Sequence, residues 1–267
     1  MKTVANTEFM PILTLTTDWG TSDHYVASLK GCILGQCPDV KIVDITHYVA
    51  AYDPQTAAFT VSAVYQSFPI GSVHFVGVEA NVTEEQPLVA AKVNGHFFIW
   101  VNNGYLSLLA PSFDAVISVQ STPPNNAAIA RIVQHICQKN EIGALGLPLQ
   151  PKKLLAKIPT IQPNSIVGQI LHFDSYGNTI TNITKPLFDE AAKGRNGKIY
   201  INSMAYKVPR LYSTYTDVPD GSPVAFFNGQ NLLEVACCRG NARKLYRLSK
   251  DQSSIMVKFD AAPEARA

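Results

Sequence analysis

The stretch PILTLTTDWGTSDHYVASLKG, residues 11–31, indicates the fold class. Its beginning, Pro11 to Thr17, is short, apolar and rich in β-branched side chains, which is typical of a buried strand. The polar run Asp18 to Asp23 predicts a turn. Apolar residues then recur at helical spacing, so we expect a helix from about His24 to Gln36 with Asp23 as its N-cap. A buried strand that leads directly into a helix is typical of α/β proteins.

The alternation of strands and helices continues to about residue 139. Repeated strand–helix units predict a mainly parallel sheet with flanking helices on both faces, and we assign this α/β domain to residues 1–147. Asp53 is expected to cap the helix that starts at Pro54. Asn94-Gly95 is a pair that tight hairpin turns favour. The predicted elements are strands 41–46 and 73–78, hairpin strands 88–93 and 96–101, and helices 54–68 and 127–139.

The second half of the chain has a different pattern. Prolines at 148, 151, 159 and 163 punctuate it first, so we predict a linker over residues 148–164. Short strand-like runs follow, separated by Gly, Asn and Asp turns. They predict a smaller all-β, barrel-like domain over residues 165–267.

Composition and charge exclude several classes of protein. The formal net charge is only +2, and no basic cluster is longer than pairs such as Lys152-Lys153, so neither nucleic acid nor an anionic membrane is an expected partner. No apolar run reaches the roughly 20 residues of a membrane helix. Glu8 and Pro11 interrupt any apolar run of the signal-peptide kind, so we expect a cytoplasmic protein. The five cysteines show no zinc spacing, and the motifs of hydrolase triads, zinc proteases, dinucleotide folds and phosphate loops are absent.

Three polar segments are candidates for a binding site. Asp18 follows the first strand, where ligands of parallel sheets collect, and its carboxylate suits the paired hydroxyls of a ribose. The segment Asp174 to Asn178 combines a carboxylate, an aromatic and an amide that can hold a purine. The third segment runs from Asn228 through Glu234 to Ala236. The alternative for the first two segments is an ordinary turn, and for the third it is a hairpin turn followed by a half-buried strand. Candidate stacking residues are Trp19, Tyr52 and Tyr215, although each can also be a core or rim aromatic.

Taken in order, six segments resemble the S-adenosyl-L-methionine (SAM) hydroxide adenosyltransferases and the related SAM-dependent fluorinases and chlorinases. No single segment is decisive, but the collinear set is specific. The segments are TLTTDWGTSDHYVASLKG (14–31), VKIVDITHYVAAYDPQTAAF (40–59), FPIGSVHFVGVE (68–79), NNGYLSLL (102–109), FDSYGNTITNI (173–183) and NLLEVACCRGNA (231–242).

The resemblance implies an N-terminal α/β domain, a C-terminal barrel-like domain and a homotrimer that binds SAM at the boundary between subunits. It also implies attack of hydroxide or halide on the 5′ carbon of SAM, with SAM as the substrate and no metal or other cofactor. The implied roles of individual residues are these: Asp18 holds the ribose, and Tyr52 lines the same pocket; Asp174 and Asn178 hold the methionine or adenine ends; Tyr176 and Tyr215 lie near the adenine or its edge, and Asn228 lies next to them.

The water-organising residues differ from the family pattern. Hydroxide-using members carry an Asp in an Asp-Pro-Gly-Val-Gly loop, an Arg soon after it and a His in a later Phe-His-Gly-Arg-Asp segment. Here Glu79 replaces the Asp, the Arg has no counterpart, and residues 122–126 read TPPNN, without the His or the halogenase Ser. We therefore expect slow SAM hydrolysis with Glu79 and Asn125 positioning water. The alternatives are a non-catalytic protein that binds SAM or adenosine, and an unrelated small-molecule enzyme on the same fold.

Overall fold

A computed structural model describes residues 11–119, 126–155 and 157–260 of the chain. The chain divides after Leu155 into two compact units, which we call unit 1 and unit 2. Each unit has a hydrophobic core of its own, centred on residues such as Phe98 and Trp100 in unit 1 and on Ile166 and Val257 in unit 2. Among the described residues, no helix has the length and apolar character that a membrane crossing needs.

Unit 1 contains a seven-stranded sheet and its helices. Its elements are β1 (Ile12–Thr17), α1 (Tyr25–Gln36), β2 (Lys41–Thr46), α2 (Pro54–Val64), β3 (Val73–Gly77), β4 (Leu88–Val93), β5 (His96–Val101), β6 (Ala115–Val119), α3 (Asn126–Lys139) and β7 (Gly146–Pro148), with 3-10 turns at Tyr65–Ser67, Tyr105–Leu108 and Gly143–Leu145.

The strands are ordered β2-β1-β3-β5-β4-β6-β7. The first four are parallel, and β4, β6 and β7 extend the sheet with antiparallel pairs, so the sheet is mixed rather than mainly parallel. The predicted hairpin explains the change of direction, because Asn94 and Gly95 both have positive φ angles (52° and 77°) and return the chain tightly from β4 to β5.

The order of the first strands defines a ligand-binding edge. The chain passes from β1 to β2 on one side and then crosses back to β3 on the other side of β1. Right-handed crossovers then place α1 and α2 on opposite faces of the sheet. Every residue of β3 and β5 is buried, as expected for strands covered on both faces. The carboxyl ends of β1 and β3 therefore flank a topological switch point, where doubly wound proteins bind ligands.

Of the two predicted helix N-caps, one is confirmed and one is wrong. Asp53 caps α2 as expected, since its side chain accepts a hydrogen bond from the Thr56 amide at 3.0 Å. The prediction that Asp23 caps α1 is wrong, because the N-cap residue is His24 and no side chain makes a capping hydrogen bond there. The loop before α1 is instead held by its backbone, since the Gly20 amide donates to the His47 carbonyl at 2.7 Å.

Unit 2 contains an antiparallel sheet and two short helices. Its elements are β8 (Thr160–Gln162), β9 (Ser165–Phe173), β10 (Thr179–Thr184), α4 (Lys185–Ala192), β11 (Gly197–Ile201), β12 (Lys207–Val208), β13 (Pro223–Phe227), β14 (Leu232–Cys237), α5 (Ala242–Leu245) and β15 (Ser254–Phe259), with a 3-10 turn at Tyr215–Asp217.

The sheet of unit 2 is nearly closed. Its strand order is β12-β11-β15-β9-β10-β14-β13, with β8 paired to β9. The ends of the sheet approach each other, because Tyr212, in the segment after β12, donates its amide to Ala225 of β13 at 2.8 Å. The barrel-like fold is confirmed.

Candidate functional site

Four of the predicted site residues lie at the carboxyl edge of the parallel strands in unit 1. Asp18 and Trp19 follow β1, Tyr52 follows β2 and Glu79 follows β3. Because Thr17 at the end of β1 pairs with Gly77 at the end of β3, the segments that carry Asp18 and Glu79 leave the sheet side by side. The structure thus brings these residues to the switch point.

Asp18 is half-buried, at the carboxyl end of β1. Its Oδ2 accepts a hydrogen bond from the Tyr52 amide at 3.2 Å, which ties the loop after β2 to the loop after β1. Tyr52 needs that support, because it has a φ of 60°, which is uncommon for a residue with a side chain. Since one oxygen accounts for this contact, Oδ1 is available to accept from a ligand hydroxyl.

Trp19 has a fixed position over the end of β3. Its ring lies edge-on to Phe75, with centroids 6.1 Å apart, and to Tyr25 at 6.5 Å. A Cβ added at Gly77 would come within 2.9 Å of the Trp19 ring, so a glycine is required under the indole. The sequence therefore provides a rigid aromatic side chain directly beside Asp18.

Glu79 is exposed and has a φ of 46°. Its neighbourhood contains Tyr105, a residue that sequence reasoning did not select. Burial, and then the carboxylates of Glu79 and Asp53, raise the pKa of the Tyr105 phenol above its ordinary value. The signal for Tyr105 was present in NNGYLSLL, which follows a buried strand. Asn125, the other predicted water-positioning residue, lies outside the described residues.

The segment Asp174 to Asn178 forms a tight turn between β9 and β10. The Asp174 carboxylate accepts from the Tyr176 amide at 3.0 Å, the Asn178 amide at 2.8 Å and Asn178 Nδ2 at 2.9 Å. Asn178 is buried, whereas the Tyr176 ring is 75% exposed. Asp174 is therefore occupied mainly by its own turn, and the exposed ring of Tyr176 is the part of the segment most accessible to a ligand.

Tyr215 and Asn228 meet on a buried carboxylate that sequence reasoning also missed. Glu234 is only 4% exposed, and it accepts from Tyr215 Oη at 2.5 Å and from Asn228 Nδ2 at 3.0 Å. Burial, the hydrogen bond to Glu234 and the charges of Glu234 and Asp174 raise the pKa of Tyr215 above its usual range. The influence of Asp174 shows that the turn and this cluster lie near each other within unit 2. An acid inside the apolar strand sequence LLEVAC was the available signal.

The Asn228 side chain is largely committed to the protein. Its Oδ1 accepts the amides of Gln230 and Leu232 at 3.0 and 3.2 Å, while Nδ2 donates to Glu234. Tyr215 is 39% exposed, so its side chain is the part of the cluster that a ligand can reach. Its ring packs edge-on against Phe226, with centroids 4.5 Å apart. Within the described ranges, no group of three His, Cys, Asp or Glu side chains is placed to hold a metal ion.

A carboxylate and an aromatic at the switch point of an α/β unit are typical of proteins that bind a small polar molecule. The particular family follows from the sequence. The chain belongs to the SAM hydroxide adenosyltransferase family, whose N-terminal domain matches residues 13–138 and whose C-terminal domain matches residues 168–254.

Similar proteins agree with this assignment. An (R)-S-adenosyl-L-methionine hydrolase of Thermus thermophilus is 28% identical over 259 residues, which cover 88% of this chain and 94% of the relative. A fluorinase of Nocardia brasiliensis is 24% identical over 292 residues, with 93% and 97% coverage.

Solved structures share the fold. The crystal structure of a conserved protein from Thermotoga maritima superposes with a TM-score of 0.81 at 21% identity and covers 92% of this chain and 99% of its own. A conserved protein from Thermus thermophilus gives a TM-score of 0.74 at 25% identity, with 94% and 100% coverage.

Proposed function

We propose that this protein binds SAM and hydrolyses it to adenosine and methionine by attack of water on the 5′ carbon. The observation that carries the proposal is Asp18. It lies at the switch point of unit 1, inside a segment that matches the family, and one of its oxygens is available for a ribose hydroxyl. Trp19 and Tyr52 lie beside it, and the family resemblance assigns Tyr176 and Tyr215 to the adenine.

The reaction makes modest chemical demands on the protein. The oxygen of water forms a bond to C5′ while the C5′–S bond breaks, and its electron pair converts the sulfonium into the neutral thioether of methionine. The water gives up one proton, which passes to a carboxylate and then to solvent. Because the leaving group is already activated, alignment of water, C5′ and sulfur is the main task. The proposed step uses SAM as substrate and requires no further cofactor.

We expect turnover to be slow. The Arg and His that organise hydroxide in the family pattern have no counterpart at the matching positions of this sequence, and Glu79 replaces the Asp. A positioned acid or base contributes about 10²–10⁴-fold in rate, so a reduced set costs a large part of that factor. The missing halogenase Ser argues against a strong dependence on halide.

The direct test is incubation of the purified protein with SAM for hours, with chromatography for adenosine and methionine in equal amounts. Parallel reactions with added chloride or fluoride test the nucleophile, since a halogenated adenosine would replace adenosine if halide attacked. Glu79→Gln is the matched variant, and a rate equal to that of the wild type would remove Glu79 from the mechanism. Fluorinated or chlorinated product as the main species would overturn the hydrolase assignment.

The exposed position of Glu79 and the substituted water-organising set favour a second candidate, a protein that binds SAM or adenosine without turning it over. Calorimetry separates the two. Tight binding of adenosine or SAM with no product after prolonged incubation would support the binding protein and exclude the hydrolase.

The family resemblance further supports a homotrimer in which a ligand contacts two subunits. Light scattering of the protein with and without adenosine tests this part of the proposal. A monomer that still binds adenosine tightly would contradict it without affecting the proposed chemistry.

A further inference from the structure

We propose that Tyr105 is a catalytic residue that, together with Glu79, holds the attacking water at the switch point of unit 1. This inference rests on the proposed SAM hydrolysis and assigns a second partner to the water that Glu79 is proposed to hold.

The topology places the two side chains at one edge. Strands β3 and β5 are parallel neighbours, with Phe75 paired to Ile99, so their carboxyl ends emerge together. Glu79 lies two residues beyond the end of β3, and Tyr105 opens the 3-10 turn that follows β5. The Glu79 carboxylate also contributes to the raised pKa of the Tyr105 phenol, in agreement with this placement.

The backbone holds Tyr105 in place. Its amide donates to Asn103 Oδ1 at 3.2 Å, and Gly104 between them has a φ of 97° that favours glycine. A Cβ at Gly104 would come within 2.9 Å of the Leu154 side chain, so the turn is also closely packed. The Tyr105 ring is half-buried and packs against the core of unit 1. A side chain fixed in this way can orient a water with little loss of entropy.

Asn103 supplies an independent indication of a polar ligand. Its Nδ2 is buried, and among the described residues it has no hydrogen-bond acceptor. A buried donor without a partner lowers stability, so such groups tend to be kept where a bound molecule satisfies them. Asn103 adjoins the same turn as Tyr105, at the same edge as Asp18 and Glu79.

The two groups are chemically complementary. Burial and the carboxylates of Glu79 and Asp53 raise the pKa of Tyr105, so its phenol keeps its proton at neutral pH and donates a hydrogen bond. Glu79 accepts one. A water held between them donates one hydrogen to the Glu79 carboxylate, accepts from the Tyr105 hydroxyl and directs its remaining lone pair at C5′. As the C–O bond forms and sulfur leaves with its electron pair, the proton passes to Glu79, and the phenol stabilises the hydroxide character of the oxygen. The phenol thus supplies a neutral donor in a chain that lacks the Arg and His of the family pattern.

The test is Tyr105→Phe, which keeps the ring and removes only the hydroxyl. We expect adenosine formation at saturating SAM to fall at least tenfold, with the Kd for adenosine unchanged within about twofold. Tyr206→Phe is the matched control: this ring is 50% exposed and lies against Tyr246 in unit 2, so its rate should equal that of the wild type. The double variant Glu79→Gln/Tyr105→Phe should lose little beyond the larger single effect, because both residues act on one water.

Turnover by Tyr105→Phe at the wild-type rate would overturn this inference and leave the proposed hydrolysis intact. Absence of adenosine from the wild-type protein would instead refute both. A spectrophotometric titration of the tyrosines gives a readout that does not depend on turnover or on the folding of the Phe variant. Glu79→Gln should lower the pKa of one phenol, and an unchanged titration curve would show that Glu79 does not face Tyr105.

Discussion

The Asp18 carboxylate accepts the Tyr52 amide through Oδ2, and we assign its other oxygen to a ribose hydroxyl. We predict that Asp18→Ala weakens adenosine binding by about 1–3 kcal/mol, roughly five- to 150-fold, because ribose hydroxyls lose a buried acceptor. Calorimetry with adenosine measures the change. Asp18→Asn is the control, since its amide oxygen can still accept from Tyr52 and hold the loop. An unchanged affinity in Asp18→Ala would remove this residue from the site.

Tyr215 has a structural role through its hydroxyl and a proposed binding role through its ring. Tyr215→Phe keeps the ring for a purine but removes the 2.5 Å hydrogen bond to buried Glu234. We expect the free energy of unfolding to fall by about 1–3 kcal/mol, since a buried carboxylate then has one donor fewer. Urea denaturation measures it, with Tyr206→Phe as the exposed control. A loss no larger than the control's would mean that water replaces the hydroxyl without cost.

The same residues show what a sequence can reveal about a site. Asp18 was identifiable because a carboxylate directly after a buried strand lies at a predictable edge of the sheet. Glu234 lies within a segment that resembles the family, yet its role depends on Tyr215, 19 positions away, which only the folded sheet brings to it. Tyr105 was missed for a similar reason, because the charges that act on it come from the loops after two other strands.

At the scale of elements, hydrophobic periodicity was sufficient to locate the strands and helices up to β5. The predicted strand 41–46 has the bounds of β2, and the predicted hairpin has the bounds of β4 and β5. Short or exposed strands were harder. All three residues of β8 are exposed, so it has no buried face, and its sequence was assigned to the proline-rich linker. β7 ends in Pro148, which a sheet edge tolerates because no ladder hydrogen bond is lost there. The order of the strands depends on long-range packing and was not predictable from local pattern.

The turn between β9 and β10 gives a prediction about an element. Gly177 has a φ of 85°, and a Cβ there would lie 2.2 Å from the Asn241 side chain, which caps α5. Gly177→Ala should therefore destabilise the protein by more than the roughly 1–2 kcal/mol of left-handed strain alone. Gly194→Ala is the matched control, because Gly194 has a similar φ of 78° and open space around it. Urea denaturation of the two variants compares them, and equal losses would show that Asn241 moves aside freely.

At the scale of the whole molecule, the core of unit 1 contains a pair of buried histidines. His74 is fully buried, and its Nδ1 lies 2.7 Å from Thr14 Oγ1 while its Nε2 lies 3.3 Å from His96 Nδ1. His74 also stacks on Phe98, with ring centroids 5.0 Å apart. Protonation would place a charge inside this core, and burial, reinforced by the neighbouring His96, lowers the pKa of His74 to about 3. Burial also lowers the pKa of His96.

These pKa values predict acid sensitivity of the folded chain. Both histidines are neutral when folded, whereas in the unfolded chain they bind protons near pH 6.5. The contribution of His74 to the free energy of unfolding should therefore be constant above about pH 7 and fall as the pH drops toward 3, by up to about 1.4 kcal/mol per pH unit. His96 adds a loss in the same direction. Urea denaturation at pH 7, 6, 5 and 4 measures the slope. His74→Gln keeps a polar partner for Thr14 without titrating, so its slope should be shallower than that of the wild type. Identical acid slopes for wild type and His74→Gln would show that other groups control acid unfolding.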